Sequence, residues 1–193
     1  MTKSSLNRLL KDVRSCSICE EHLPHGVRPI VQLSSSATVL IAGQAPGRRV
    51  HESGVPFDDP SGDRLREWMG VSREVFYDAS KIAILPMGFC YPGTGKSGDL
   101  PPRPECLEKW HESLMRELSG VRLTLVIGQY AMRYHLGGAK RPLTEIVRDW
   151  KDVRPKRIPL PHPSPRNNIW LRKNDWFEAE VLPYLRRRVK AVL

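Results

Sequence analysis

The chain of 193 residues carries 31 lysines and arginines against 21 aspartates and glutamates, a formal net charge of +10, with 17 prolines and 4 cysteines. Its 40% hydrophobic and 27% charged content argues against a disordered chain and fits a single domain, residues 1–193, long enough to bury its own core. No apolar run approaches the roughly 18 residues that span a bilayer, and the N-terminus has neither an apolar h-region nor a small-residue cleavage site. A cytoplasmic protein with no membrane partner is therefore expected, and four cysteines in a reducing compartment are not expected to form structural disulfides. The positive charge favours a polyanionic partner through steering and counterion release, a signal that is weak alone.

In chain order, Leu6, Leu9, Leu10 and Val13 recur at helical spacing and predict a short amphipathic helix. Residues 38–43 (TVLIAG) are apolar on both faces, as in a buried parallel strand. A helix over 62–69 offers Leu65, Trp68 and Met69, and residues 81–85 (KIAIL) give a second strand. Residues 104–119 place Leu107, Trp110, Leu114 and Leu118 on one helical face, with Pro104 at the start and Gly120 after the end. A third strand over 123–128 is followed by a short helix over 129–136, stopped by Gly137 and Gly138. The run over 157–161 is a weaker strand whose prolines suit a sheet edge or a strand end. A helix over 175–192 closes the chain, with Asn174 or Asp175 as its cap and Pro183 as a kink. Strands alternating with helices predict an α/β fold with a mainly parallel sheet.

Sites in open α/β sheets form at the carboxyl ends of strands, and three unusual loops fall there. Gly43-Gln-Ala-Pro-Gly47 is a turn in which glycine permits close approach of a ligand and proline fixes the path; it reads either as a rigid loop offering Gln44 and backbone groups to a planar substrate or as plain turn punctuation. The second loop runs from Pro86 to Cys90 and on to Cys106. The third, His162-Pro-Ser-Pro-Arg-Asn167, is stiffened by proline and could hold an imidazole beside developing negative charge while Ser164 and backbone groups clamp a phosphate; its bland alternative is an exit loop with a solvated histidine. Phe57, in the Gly/Pro loop Gly54–Pro60, could stack on a base or anchor that loop in the core. The runs Arg48-Arg49 and Arg186-Arg187-Arg188 read as solvated faces, the first gaining weight from its place beside the loop at Gly43.

The cysteines pair as Cys16-x2-Cys19 and Cys90-x15-Cys106. All four together suit a four-thiolate site for zinc or an iron–sulfur cluster. The alternatives are buried free thiols, a Cys16/Cys19 redox pair, or a site that senses redox state.

Taken together these motifs resemble the uracil-DNA glycosylase superfamily, most nearly its family 4, the iron–sulfur type. The first motif is Gly43–Gly47, the Gly-x-Pro-Phe segment is Gly54–Phe57 with Ser61-Gly62, the second motif is His162–Ser164, and both cysteine spacings agree. The likeness runs in order from about Cys16 to the final helix. It implies a three-layer α/β/α fold with a four-stranded parallel sheet, an N-terminal segment over residues 1–35 comprising a helix and part of the cluster site, and a monomer acting on a damaged base in DNA. The implied roles are catalysis by Gln44 and His162 and base binding by Gly43, Ala45, Phe57 and Asn167. Arg48, Ser164 and Arg166 would hold DNA, and Cys16, Cys19, Cys90 and Cys106 would bind a structural [4Fe-4S] cluster, with zinc as the alternative.

The chain departs from the family pattern in two places that bear on chemistry. Gln44 stands where family 4 has glutamate, and an amide cannot act as a carboxylate base. Pro86 stands where the family has the asparagine that reads the uracil edge, so a relaxed or altered base preference is expected. The expected activity is hydrolytic removal of a deaminated base, uracil first, in base-excision repair near the nucleoid. The alternative is a protein of the same fold that holds a lesion with little turnover.

Overall fold

A computed structural model describes residues 3–96, 98–137 and 141–193, and side chains from residue 5 onward. Its strands are, in chain order, β1 (Val39–Ala42), β2 (Ile82–Ile84), the short β3 (Thr94–Gly95) and β4 (Gly98–Asp99), β5 (Leu123–Ile127) and β6 (Arg157–Leu160). The main sheet has the order β2-β1-β5-β6 and every pair in it is parallel, while β3 and β4 form a separate antiparallel hairpin. Ile41 lies in register with Ile84 on one side and Leu125 on the other, and Val126 with Pro159. The four apolar runs seen in the sequence are these four strands. Pro159 is tolerated because β6 lies at the sheet edge, where one side of the backbone needs no partner.

Side chains of β1 alternate between the two faces, as a pleated strand requires. Val39 and Ile41 join a core with Leu65, Trp68, Phe76, Phe177 and Leu185. Leu40 joins Leu6, Leu10, Val13, Leu114 and Leu118 on the other face. The result is the expected three layers. Among the described residues no helix is long and apolar enough to cross a membrane.

Helix ends follow local chemistry. The helix Pro60–Met69 starts two residues earlier than its apolar spacing suggests, because Asp59 caps it by accepting from the Gly62 amide at 2.8 Å and Pro60 fills the first turn. The helical stretch over 104–117 contains a π turn at Leu107–His111, directly after Cys106. The last helix enters through a π turn at Phe177–Val181, and this irregularity takes the place of the kink expected at Pro183. Asn174 stands just before the helical residues and its carbonyl accepts from the Phe177 amide at 2.9 Å, while its buried side-chain amide donates to the Trp170 carbonyl; the Asp175 side chain accepts only from the next amide, that of Trp176, at 2.8 Å. The helix Gly128–His135 ends before Gly137, which has a φ of 89°; Gly138 lies outside the described residues.

Two histidines sit inside this frame. His111 is fully buried, with Nε2 on the Pro86 carbonyl at 2.9 Å; among the described residues its Nδ1, and the buried Nε2 of His135, have no hydrogen-bond partner. Burial pushes both imidazoles down, His135 to about 4. They take up protons less readily folded than unfolded, so stability is fully present above the unfolded value and is lost as pH falls toward the folded one. The expected loss between about pH 6.5 and 4 is about 3 kcal/mol from His135 alone. Urea unfolding at about pH 7 and about pH 4.5 reads it, and His135→Gln flattens the dependence.

Candidate active site

The carboxyl ends of β1, β2, β5 and β6 lie along one edge of the sheet. From β1 the chain turns to β2 on one side and later to β5 on the other, so β1 and β5 diverge at a topological switch point, the place where such sheets open a crevice. The loop leaving β1 is fastened to the one leaving β2: the Met87 amide donates to the Gly43 carbonyl at 2.9 Å and the Gly88 amide to the Gln44 carbonyl at 2.8 Å. Gly128, at the end of β5 with a φ of 78°, gives the Gln44 side chain its seat, since a Cβ there would lie 3.1 Å from the Gln44 amide carbon. Over this edge lies a cleft of about 420 Å³, within the range of small-molecule sites.

Phe57 forms one wall of that cleft. Its backbone has a φ of 55°, a left-handed conformation that a bulky residue adopts only when its surroundings impose it. The imposing contacts are visible. Gly62 lies so close that a Cβ would sit 1.8 Å from the Phe57 carbonyl oxygen. Arg66, only 7% exposed, donates to that same carbonyl at 3.4 Å and to Asp63 at 2.5 Å, and lies over the Phe76 ring at 5.2 Å. Phe76 in turn meets Phe57 edge-on at 6.1 Å. The ring is thereby held beside Gly43, where a Cβ would come 3.6 Å from the Phe57 Cζ. Sequence reasoning passed over Arg66, because a buried and a solvated arginine look alike between Leu65 and Trp68.

On the loop that leaves β6, Pro161 and Pro163 flank His162, which is partly buried. Burial lowers the pKa of its imidazole, against the raising influence of Asp59 and Asp99, so the ring is neutral at neutral pH. Ser164 Oγ accepts from the Arg166 amide at 3.2 Å, and Arg64 donates to the Ser164 carbonyl at 3.1 Å. Gly43, Ala45 and Arg48 from the first loop, and Ser164 and Arg166 from the last, line the cleft together with Gln44, Phe57 and His162. Arg48 is exposed and pairs with Glu52 at 3.0 Å.

Asn167 differs from the expectation. It is not among the residues lining the cleft, and its side-chain amide donates to the His162 carbonyl at 2.7 Å, bracing the loop. Pro86 does line the cleft, with its carbonyl turned to His111. Two carboxylates reach the lining among the described residues, Asp59 and Asp99. Asp99 carried no signal in the sequence, since its hairpin strands are two residues long and set among glycines.

The four cysteines gather away from the cleft. Cys16 is partly exposed and the other three are buried. The charges of Cys16, Cys19 and Cys90 all bear on the Cys106 thiol, so the two sequence-distant pairs meet. Burial pushes Cys90 up to about 11 and Cys106 up to about 12, values at which free thiols stay protonated. Two N–H groups point at sulfur: Trp110 Nε1 at 3.3 Å from Cys16 Sγ and the Phe89 amide at 3.4 Å from Cys106 Sγ. The donor set suits a thiolate-bound group in kind. Among the described residues, however, no group of three or more histidine, cysteine, aspartate or glutamate side chains is arranged to hold a metal ion.

Residues 31–186 match the family described as the Uracil DNA glycosylase superfamily. The chain is also 26% identical over 135 residues to a type-4 uracil-DNA glycosylase of Archaeoglobus fulgidus, a match covering 67% of this chain and 63% of that enzyme.

Proposed function

Because the chain belongs to the uracil-DNA glycosylase superfamily, we propose that it hydrolyses the N-glycosidic bond of a deaminated base flipped out of DNA. The observation that carries this reading is the presence, in the lining of one cleft, of an aromatic ring held in a strained conformation and a neutral imidazole. Phe57 stacks on the extruded base. Breaking the bond leaves negative charge on the base and positive charge on the sugar, and the N–H of His162 meets the base oxygen where that negative charge grows. A neutral ring donates this bond without having to give up its proton. Gln44 and the backbone of Gly43 and Ala45 position the water and the base edge, while Arg48, Ser164 and Arg166 hold phosphates. The enzyme is monofunctional in this reading, with water rather than a protein amine attacking the sugar carbon.

Pro86 offers the base a flat apolar surface in place of a donor–acceptor pair. A site that makes fewer hydrogen bonds to the base edge discriminates less sharply against bases with a different edge. The substrates are therefore uracil together with other deaminated bases. The +10 charge supplies the non-specific attraction to DNA. The chain acts as a monomer in the cytoplasm, at the nucleoid.

Cys16, Cys19, Cys90 and Cys106 hold a [4Fe-4S] cluster whose contribution is to tie the N-terminal segment to the Cys90–Cys106 loop. Four thiolates are the usual donor set of such a cluster, and zinc is the alternative occupant of the same donors. Gln44 and Pro86 favour a second reading, lesion binding with little turnover.

Purified protein is incubated with oligonucleotides carrying uracil, hypoxanthine or xanthine, single- and double-stranded, then treated with alkali. Strand breaks that need the alkali step are expected, with uracil and at least one other base, and metal analysis of anaerobically prepared protein returns iron rather than zinc. Absence of breaks with all three bases overturns the glycosylase reading, and tight binding without release would establish the second one.

A further inference from the structure

The motif loop that leaves β1, Gly43-Gln-Ala-Pro-Gly47, contains no carboxylate. Hydrolysis nevertheless asks for one, both to take a proton from the attacking water and to face the positive charge that forms on the sugar. The two carboxylates lining the cleft are not equivalent. Asp59 is engaged as a helix cap, its Oδ1 accepting from the Gly62 amide at 2.8 Å. The Asp99 side chain makes no hydrogen bond or ion pair among the described residues, although Arg48, Arg49 and Arg166 line the same cleft. Its Oδ2 is 3.5 Å from where a Cβ on Gly47 would stand, so it reaches the end of the motif loop from outside that loop. It is also close enough to His162 to act on the imidazole charge. The cleft thus presents Gln44 with no charge, and the hairpin of β3 and β4 delivers to the same space a carboxylate that has no side-chain partner among the described residues.

We propose that Asp99 is the catalytic base of this enzyme, supplied by the hairpin in place of a carboxylate on the loop after β1. This rests on the glycosylase reading above. In the step, the C1′–N bond breaks and its electron pair leaves with the base, held by the His162 N–H. The water oxygen bonds to C1′, and the proton it sheds goes to the Asp99 carboxylate. The base anion is protonated on release from solvent, and Asp99 returns its proton to solvent. Gln44 orients the water and takes no proton.

The test compares wild type with Asp99→Asn in single-turnover release of whichever of uracil, hypoxanthine or xanthine the wild type excises fastest. Binding of the same oligonucleotide is measured by fluorescence anisotropy and folding by thermal melting, with Asp99→Ser used if Asp99→Asn does not melt cooperatively. The expected result is a release rate lower by about 100-fold, with DNA affinity within about threefold of wild type. A rate within about fivefold of wild type overturns the proposal while leaving the glycosylase reading standing. A loss of affinity that accounts for the loss of rate also overturns it, making Asp99 a DNA-holding group. If the wild type releases none of the three bases, the glycosylase reading fails and this proposal falls with it.

Discussion

Gly62→Ala is expected to destabilise the protein by about 3–5 kcal/mol and to abolish base release. The reason is geometric. The added Cβ would stand 1.8 Å from the Phe57 carbonyl oxygen and 2.9 Å from the Phe57 Cβ, so helix and loop cannot both keep their positions. The same displacement would pull Phe57 away from the Arg66 guanidinium and break the contact that keeps a phenylalanine at a φ of 55°. Backbone is the obstacle here, and backbone cannot rotate aside as a side chain does. Urea unfolding measures the stability and single-turnover release measures the activity. A variant that stays within about 1 kcal/mol of wild type would mean that loop 54–59 adapts freely, and that the strained Phe57 is not imposed by its neighbours.

His162→Ala is expected to lower the release rate by about 100- to 1000-fold while leaving the melting temperature nearly unchanged. The side chain of His162 makes no hydrogen bond to protein among the described residues, and its ring faces the cleft, so its removal strands no partner. Its backbone carbonyl still accepts from Asn167, so the loop keeps its brace. Activity close to wild type in this variant would remove the imidazole from the chemistry. Together the two substitutions separate a residue that builds the cleft from one that works in it.

The sheet was readable from sequence because each parallel strand is buried on both faces and must be apolar throughout. Residues 38–43, 81–85, 123–128 and 157–161 contain the four strands, each with at most two residues to spare at either end. The loops at the strand ends were readable too, since glycine and proline next to Gln44 and His162 are local features. What escaped was whatever depends on contacts between distant segments. The conformation of Phe57 comes from Gly62 and Arg66, which have their own helical pattern. Asn167 is a polar residue in a polar loop, and only the position of the His162 carbonyl decides that its amide turns inward. Asp99 sits in a hairpin whose register, Thr94 with Asp99 and Gly95 with Gly98, is too short to leave a periodic trace.

The segment between Cys90 and Cys106 can be seen as an arch with a foot at each cysteine and Asp99 near its crown. One foot is pinned where the Phe89 amide meets Cys106 Sγ, and the span is tightened where the Leu100 amide donates to the Gly93 carbonyl at 2.8 Å. Its near side leans on the chain's beginning, since Gly93, with a φ of 99°, admits Pro24 at a distance no side chain would allow. Whatever grips the two feet therefore sets the height of the crown. On the role proposed for Asp99, a loosened footing would lower reactivity at the cleft while every residue lining it remained unchanged.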